Sequence, residues 1–197
     1  MLSKVLASLI PLLACCAVTA QENWVVGSKW EFSRVDMYGK ETSRWEKTVT
    51  AKEGEDFLQL DGNTVSRVSP AGVFTRSMPA NRPGTFTYTP IKIPIVANAE
   101  WEYTFHYVGS NMGVPARTIY KCKAGAPETI TVPAGAFSTI RFDCKGSFIS
   151  EAGSSGPSST SNWYAPEIGS VVKSVTKWSD QWAREENTVQ LLRFSKP

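Results

Sequence analysis

Apolar and polar residues alternate with a period of two along most of the chain. In "KWEFSRVDM" (29–37), for example, Trp30 and Phe32 fall on one side and charged or small residues on the other. Alternation of this kind predicts half-buried β-strands, because successive side chains of a strand point to opposite faces. After residue 20 no helical period of 3.6 lasts for three turns. The pattern therefore predicts an all-β protein.

Turn residues divide the alternating segments. Gly39, the Gly62-Asn63 pair and Gly72 stand where short hairpin turns are expected, since Gly and Asn tolerate positive φ. We expect about eleven strands in one antiparallel meander, curled into an open or half barrel, with residues 21–197 as a single domain. The predicted strands fall within 29–37, 43–51, 56–78, 100–108, 116–124, 128–132, 137–146, 161–178 and 188–194.

Three segments depart from the alternation. The proline-rich residues 79–98 are predicted to form a sheet edge or a long crossing loop, because proline cannot donate to a ladder. The Ser/Gly-rich stretch 151–161 predicts a mobile loop. Residues 179–187 have the composition of a single helical turn.

The first twenty residues are typical of an export signal. An apolar stretch follows Lys4, and small residues precede a cleavage point after Ala20. The stretch is short and contains Pro11, so no transmembrane span is expected in the mature chain. "LLAC", which ends at Cys15, is similar to the lipobox of bacterial lipoproteins. We predict a periplasmic or secreted protein, with lipid anchoring through Cys15 as the alternative.

Two cysteines remain after removal of the signal, Cys122 and Cys144. In an exported chain such a pair favours one disulfide. Two buried free thiols and a redox pair are the alternatives. Redox cysteines usually lie close together at a helix N-terminus, whereas these two stand 22 positions apart on strand-like segments. A disulfide is therefore the main prediction.

The charge balance gives no reason to expect nucleic acid or an anionic membrane as a partner. The formal net charge is +3, and loss of Lys4 with the signal leaves about +2. The basic residues are scattered along the strands, and we interpret them as belonging to solvated strand faces. They include Lys40, Arg44, Lys47, Arg67, Arg76, Lys121 and Lys123.

Catalytic groups are few. His106 is the only histidine. A zinc site would lack a second histidine ligand, and a histidine-assisted nucleophile would depend on this one residue. No cofactor or metal is predicted. Glu100 and Glu102 share a strand face about 7 Å apart, a spacing that suits paired acids in a hydrolase. Alternate acids on the wet side of a strand are common, so a non-enzymatic protein is expected and a hydrolase is the weaker alternative.

Aromatic residues carry more information, since the chain holds seven Trp, six Tyr and nine Phe. In "EWEYTFHYV" (100–108) four of them share one face, which predicts either a packed core or the lining of a cavity for an apolar ligand. Two more aromatics flank a turn and are expected to close the open side of the sheet. The candidate ligand-binding residues are Trp101, Tyr103, Phe105, Tyr107, Trp163 and Tyr164.

Two other motifs concern architecture and surface. "VPAGAF" (132–137) predicts a chain reversal, after which Ile140, Phe142 and Cys144 share a buried face. Near the C-terminus, Trp178 and Trp182 predict either an exposed contact patch or a flap over the core.

"VPAGAF", followed by "WYAPEIGSVVK" (163–173), resembles a pattern of the TapB-like bacterial exported family of domains of unknown function. The segment "PIKIPIVANAEWEYTF" (90–105) also resembles that family. The resemblance implies an antiparallel envelope sheet, similar in style to half-barrel lipoprotein carriers of the LolA/LolB type. It implies no catalytic residues, because the family has no agreed ones.

Two functional hypotheses follow. In the first, a curved sheet of a bacterial envelope protein binds an apolar small molecule, a lipid or a lipoprotein segment. In the second, the protein is an interaction or scaffold module that contacts an envelope protein through its rim, using the Ser/Gly-rich stretch 151–161 together with Trp178 and Trp182.

Overall fold

The computed structural model describes residues 24–77, 85–108, 114–180 and 183–197. Within these ranges the chain forms twelve strands and one 3₁₀ turn, Pro166–Ile168. The strands are β1 (Lys29–Asp36), β2 (Glu41–Glu53), β3 (Asp56–Asp61), β4 (Thr64–Val68), β5 (Phe74–Ser77), β6 (Thr85–Tyr88), β7 (Glu100–Val108), β8 (Pro115–Val132), β9 (Gly135–Ser150), β10 (Ser155–Ala165), β11 (Ser170–Ser179) and β12 (Arg184–Ser195).

All twelve strands belong to one antiparallel sheet, with the order β6-β5-β4-β3-β2-β1-β12-β11-β10-β9-β8-β7. The sheet thus consists of two meanders, a first half (β1–β6) and a second half (β7–β12), which are joined by pairing of β1 with β12. The edge strands β6 and β7 come together on the far side, where the rings of Tyr88 and Phe105 lie 5.4 Å apart. The prediction of an all-β antiparallel sheet curled into an open barrel is confirmed, with twelve strands in the described ranges rather than about eleven.

Burial along β9 follows the predicted alternation from Arg141 to Lys145, whereas Thr139 is buried and Ile140 is half-buried. Phe142 and Cys144 are buried, whereas Arg141 and Lys145 are exposed. Cys144 lies directly opposite Cys122 of β8, and the two form a disulfide that closes a 22-residue separation. The predicted disulfide is therefore confirmed as a bridge between neighbouring strands.

The "VPAGAF" motif forms the corner between β8 and β9. Gly135 has a φ of 132°, which L side chains rarely adopt, so glycine suits this corner. The backbone N–H of Ala134 donates to the carbonyl of Leu191 in β12, at 3.2 Å. This contact lies beyond the last β11–β12 pair, Lys173 with Gln190. The corner therefore reverses the chain as predicted, and it also fills the space where β11 leaves β12.

Apolar side chains form two clusters. The first cluster draws on both halves: Trp24, Trp30, Phe32, Val49, Phe57 and Val68 come from β1 to β4 and the segment before β1, and Val132, Ala165, Ile168, Val172 and Leu191 come from the second half. The second cluster belongs to the second half and the connection that precedes it. It includes Ile95, Tyr120, Cys122, Ala124, Phe142, Cys144 and Tyr164.

The prediction of a mobile loop at 151–161 is wrong. Strand β10 begins at Ser155, and its small polar side chains bond across the sheet, as Thr160 does with Ser174 at 3.2 Å. Gly156 lies so close to the backbone of Ser179 that a Cβ would stand 1.9 Å from its carbonyl oxygen. Serine, threonine and glycine therefore serve close strand packing here rather than mobility.

Other boundaries also shift. The predicted strands 116–124 and 128–132 are one strand, β8, with an irregularity in its register after Ala124. The helical turn predicted at 179–187 is wrong for the described positions, because β12 already begins at Arg184. The proline-rich prediction is confirmed where it is described, since β6 is an edge strand and the residues after it cross to β7.

No helix in the described ranges has the length and apolar character needed to cross a membrane. The predicted signal (1–20) and the candidate lipidation residue Cys15 lie outside those ranges.

Candidate functional site

A cavity of about 500 Å³ lies between the two apolar clusters. Its aromatic lining comes from both, with Phe32 and Trp45 on one side and Tyr103 and Phe142 on the other. Trp24, which precedes β1, also borders the cavity, and its indole N–H donates to the carbonyl of Gly169 at 3.1 Å. The interior of the sheet is thus packed at the clusters and open between them.

The first half lines this cavity with charged side chains. Arg34, Lys47, Asp61 and Arg76 come from β1, β2, β3 and β5. The Lys47 ammonium pairs with the Asp61 carboxylate at 3.4 Å and lies 5.3 Å from the centre of the Phe32 ring. Because three cations face one carboxylate, this wall carries a positive excess.

The two arginines of this wall form no ion pair with any described residue. The guanidinium of Arg34 lies 5.6 Å from the centre of the Trp45 ring, a cation–π arrangement. The Nε of Arg76 is buried and makes no hydrogen bond to any described group. Burial raises the pKa of the neighbouring Tyr88 phenol, and the charge of Arg76 together with a side-chain hydrogen bond between the two residues opposes that shift. Arg76 therefore brings a cation with an unused donor to the cavity wall.

The second half lines the cavity with neutral side chains. Tyr103, Phe142 and Val171 supply apolar surface, while Asn162 and Ser174 supply an amide and a hydroxyl. A tyrosine phenol is neutral at physiological pH, and burial raises the pKa of Tyr103 further above its ordinary value. The two walls therefore differ in charge.

The predicted aromatic stripe of β7 divides between core and cavity. Trp101 packs on Phe142 with ring centres 5.3 Å apart and belongs to the second cluster. Tyr103 packs on Tyr120 at 5.3 Å and borders the cavity as well.

The end of the stripe nearest to β6 consists of stacked rings. Phe105 and Tyr107 lie 5.6 Å apart, and Phe105 also contacts Tyr88 of β6. Of the four stripe residues, Tyr103 is the one that lines the cavity in the described structure.

Trp163 and Tyr164 do not line the cavity in the described structure, and the two side chains have different surroundings. Tyr164 is buried in the second cluster, and its hydroxyl has no hydrogen-bond partner among the described residues. The Trp163 ring lies between the cationic groups of Arg141 and Lys173, at 5.2 and 5.1 Å, and its N–H donates to exposed Glu128 at 2.7 Å. Trp163 is half-buried against the first cluster and is not among the residues that line the cavity.

The interpretation of Lys47 and Arg76 as solvated strand residues is wrong, since both line the cavity. A signal for this was present in the sequence. Lys47 alternates in phase with Trp45 and Val49, so the face that carries the apolar residues carries the charge too. Arg34 likewise follows Phe32 at a spacing of two.

The candidate carboxylates of β7 lie in exposed ion pairs. Glu100 pairs with Lys123 at 3.1 Å, and Glu102 with Lys121 at 3.9 Å. His106 occupies the same strand, on the positions that alternate with the aromatic stripe. No group of three or more metal-ligating side chains occurs within the described ranges.

Of the two C-terminal tryptophans, Trp178 packs edge-on against Phe148 with ring centres 5.5 Å apart. Trp182 lies outside the described residues. Trp178 therefore packs on β9 of the second half.

Comparison with known proteins adds a fold relationship. No protein-family model matches the chain, and no curated protein matches its sequence. A Bacteroides fragilis protein, provisionally named as exported with a YmcC-like fold, has a TM-score of 0.56 and 17% identity. The match covers 87% of this chain and 97% of that one. A protein of Parabacteroides distasonis, provisionally named a lipoprotein, has a TM-score of 0.55 and 16% identity, over 87% and 96% of the two chains.

At these identities the likeness shows a shared fold and nothing finer. The chain therefore has the fold of the YmcC-like proteins. The resemblance to the TapB-like family stays a prediction.

Proposed function

We propose that the protein is a non-enzymatic binding protein of the bacterial envelope that holds an apolar or lipid ligand inside its curved sheet. The observation that carries the proposal is the cavity of about 500 Å³ between the apolar clusters. Small-molecule sites are typically about 300–1,000 Å³ in volume and are lined by aromatic residues with a few polar groups. The cavity has a volume in this range, and its lining combines aromatic and aliphatic side chains with charged, amide and hydroxyl groups.

An envelope location is supported by two independent observations. The first twenty residues are typical of an export signal. The two fold neighbours carry provisional names that describe an exported protein and a lipoprotein. We propose a periplasmic or secreted form, with lipid anchoring through Cys15 as the alternative. The intact mass of the mature protein distinguishes the two, because lipidation adds acyl chains to the N-terminal residue.

A binding role fits the lining better than hydrolysis does. Asp61 is the carboxylate that faces the cavity in the described structure, and it is already paired with Lys47. Glu100 and Glu102, the predicted acid pair, lie in exposed ion pairs with lysines. The scaffold hypothesis loses part of its basis, since the Ser/Gly-rich stretch is mostly strand and Trp178 packs on Phe148.

The proposal is tested by purifying the mature protein from envelope extract and analysing it by native mass spectrometry and lipid extraction. Added dodecanol and dodecanoate serve as defined probes. We expect a bound mass of one small amphiphile or apolar molecule. Wild-type protein that carries no extractable ligand and binds neither probe overturns the proposal.

A matched pair of variants locates the ligand. Val171→Trp fills the cavity from β11 and is expected to weaken binding by about tenfold or more. Ile149→Trp places the same side chain on the surface, where Ile149 is 46% exposed, and should bind as wild type does. Equal binding by both variants contradicts a ligand in this cavity.

A further inference from the structure

The charged groups of the cavity lie on one wall. Arg34, Lys47, Asp61 and Arg76 all come from the first half, and the second half contributes no charged side chain to the described lining. Three cations and one carboxylate leave an excess of two positive charges on this wall. A purely apolar occupant would leave that excess without a counter-charge.

The arrangement of these groups separates Arg76 from the others. Lys47 is already neutralised by Asp61 at 3.4 Å. Arg34 is exposed to solvent and lies against Trp45, so water screens its charge. Arg76 has its Nε buried without a hydrogen-bond acceptor among the described residues. A buried donor on a cation is destabilising unless an acceptor satisfies it, and an acid group is the strongest acceptor.

Aromatic rings lie near this cation, and Ser66 of β4 stands opposite it in the ladder. Phe74, two residues before Arg76 on β5, stacks on Tyr88 with ring centres 5.7 Å apart, and both rings line the cavity. Tyr103 and Phe142 face the same space from the second half. An acid group at Arg76 would therefore stand next to surface suited to a hydrocarbon chain.

We infer that the occupant of the cavity is an anionic amphiphile with a single alkyl chain, whose acid group binds Arg76 and whose chain lies between the aromatic walls. This inference rests on the proposed function. The volume of about 500 Å³ suits one molecule of this size. Arg34 and Lys47 raise the positive potential around the acid group without being its main ligands. The shared ligand chemistry is a carboxylate or phosphate ester on an alkyl chain.

The inference is tested by isothermal titration calorimetry of delipidated protein with four probes: dodecanoate, dodecyl phosphate, dodecanol and inorganic phosphate. We expect both anionic chains to bind about ten- to hundredfold more tightly than dodecanol, the contribution of a charge-assisted hydrogen bond. The stronger of the two distinguishes a fatty acid from a phosphate headgroup. Inorganic phosphate alone is expected to bind weakly, because it lacks the chain.

Three variants assign the preference to residues. Arg76→Met removes the cation and keeps a long side chain, and it should abolish most of the preference for the anionic chains. Arg34→Met should reduce the preference by a smaller factor. Lys121→Met removes a cation whose side chain is 83% exposed and is not among the cavity-lining residues, so it should leave all four affinities unchanged. Thermal unfolding of each variant verifies that it is folded.

The outcomes separate this inference from the proposed function. Equal binding of dodecanol and dodecanoate by wild-type protein overturns the inference and leaves the proposed function standing. Binding of neither chain overturns both. Tight binding of inorganic phosphate without a chain also overturns the inference, since it indicates an anion site. An unchanged preference in Arg76→Met contradicts the assignment of the acid group to that residue.

Discussion

The first half and the second half of the sheet form opposite walls of one cavity and differ in what they contribute. The first half presents every charged side chain of the described lining, including the unsatisfied donor of Arg76. The second half presents hydroxyl, amide and aromatic groups and contains the Cys122–Cys144 bridge. The two halves therefore differ in role. The first half provides charged groups for a ligand, and the second half provides an uncharged wall that a disulfide stabilises.

The two halves also differ in what holds their cores together. The first cluster combines aliphatic residues with packed aromatic rings and contains no disulfide, and its Trp30 lies 5.3 Å from Trp24 and 5.4 Å from Phe194 between ring centres. The second cluster has a disulfide at its centre, and Cys144 is fully buried. Loss of stability should therefore come from truncated aromatic side chains in the first cluster and from removal of the disulfide in the second cluster.

The largest effect is expected from Trp30→Ala in the first cluster. Trp30 is 1% exposed, and truncation of such a residue costs about 4 kcal/mol through lost burial and a cavity. Urea denaturation measures the loss in the free energy of unfolding. Tyr38→Ala, at an 86% exposed turn position, is the control and should change it by less than about 0.5 kcal/mol. A loss below about 1 kcal/mol for Trp30→Ala would show that aromatic packing does not hold this half.

The next effect is expected from removal of the disulfide in the second half. The double substitution Cys122→Ala, Cys144→Ala should lower the free energy of unfolding by about 3 kcal/mol, because the bridge restricts the unfolded chain. Reductant should destabilise wild type by a similar amount and leave the double variant unaffected. Equal stability of wild type with and without reductant, once thiol labelling shows full reduction, contradicts the covalent support of this half.

A smaller effect of opposite sign is expected from Arg76→Met on the charged wall. Loss of a buried, unsatisfied donor should raise the free energy of unfolding of ligand-free protein by about 1 kcal/mol. Arg67→Met is the matched control on β4, since Arg67 is exposed and pairs with Glu53 and Asp56. Its loss should be about 0–1 kcal/mol. If both variants are destabilised equally, the Arg76 wall is no different from the outer surface.

The smallest effect is expected from Tyr164→Phe in the second cluster. Its hydroxyl is buried without a partner among the described residues, so its removal should stabilise the protein by roughly 0.5–1 kcal/mol at pH 7. Burial raises the pKa of Tyr164 above its ordinary value of about 10. Ionisation therefore costs no stability below about pH 10, and the free energy of unfolding falls as pH rises further, because the phenol ionises first in the unfolded chain.

The pH dependence gives this variant a second readout. Stability should therefore fall less steeply between pH 9 and pH 11 in Tyr164→Phe than in wild type, as measured by urea denaturation at each pH. Tyr38→Phe, at an exposed turn position, is the control and should match wild type at each pH. Identical slopes for all three proteins would contradict the buried environment of the Tyr164 phenol.

The sequence predicted features that depend on local alternation. The buried face of β9 and the corner at Pro133 follow from the identity of neighbouring residues. The pairing of Cys122 with Cys144 followed from export and from strand-like flanks. The first part of β10, residues 155–160, was missed because its serine and glycine residues have no strand preference of their own. They become strand residues only when the backbones of β9 and β11 lie on either side.

The cavity was predicted less well than the fold. Alternation placed Tyr103 on an inner face, and it also placed Lys47 beside Trp45 and Val49. It could not tell which inner positions fill a cluster and which border open space, because that depends on how far the sheet curls. The two walls face each other only after β1 has paired with β12, whose residues are far apart in sequence.

The position of β1 has a consequence for the synthesis of the chain. Every other ladder in the described sheet joins strands that are consecutive in the sequence. Strand β1 instead pairs with β12, the last strand, and cannot complete this pairing until β12 has been made. A chain that emerges N-terminus first can complete the hairpins of its first half early, but it exposes β1 as an open sheet edge until the end. Trp30 and Phe32 lie on that edge. The interval before the final strand arrives is therefore the period in which the nascent protein is most exposed to aggregation.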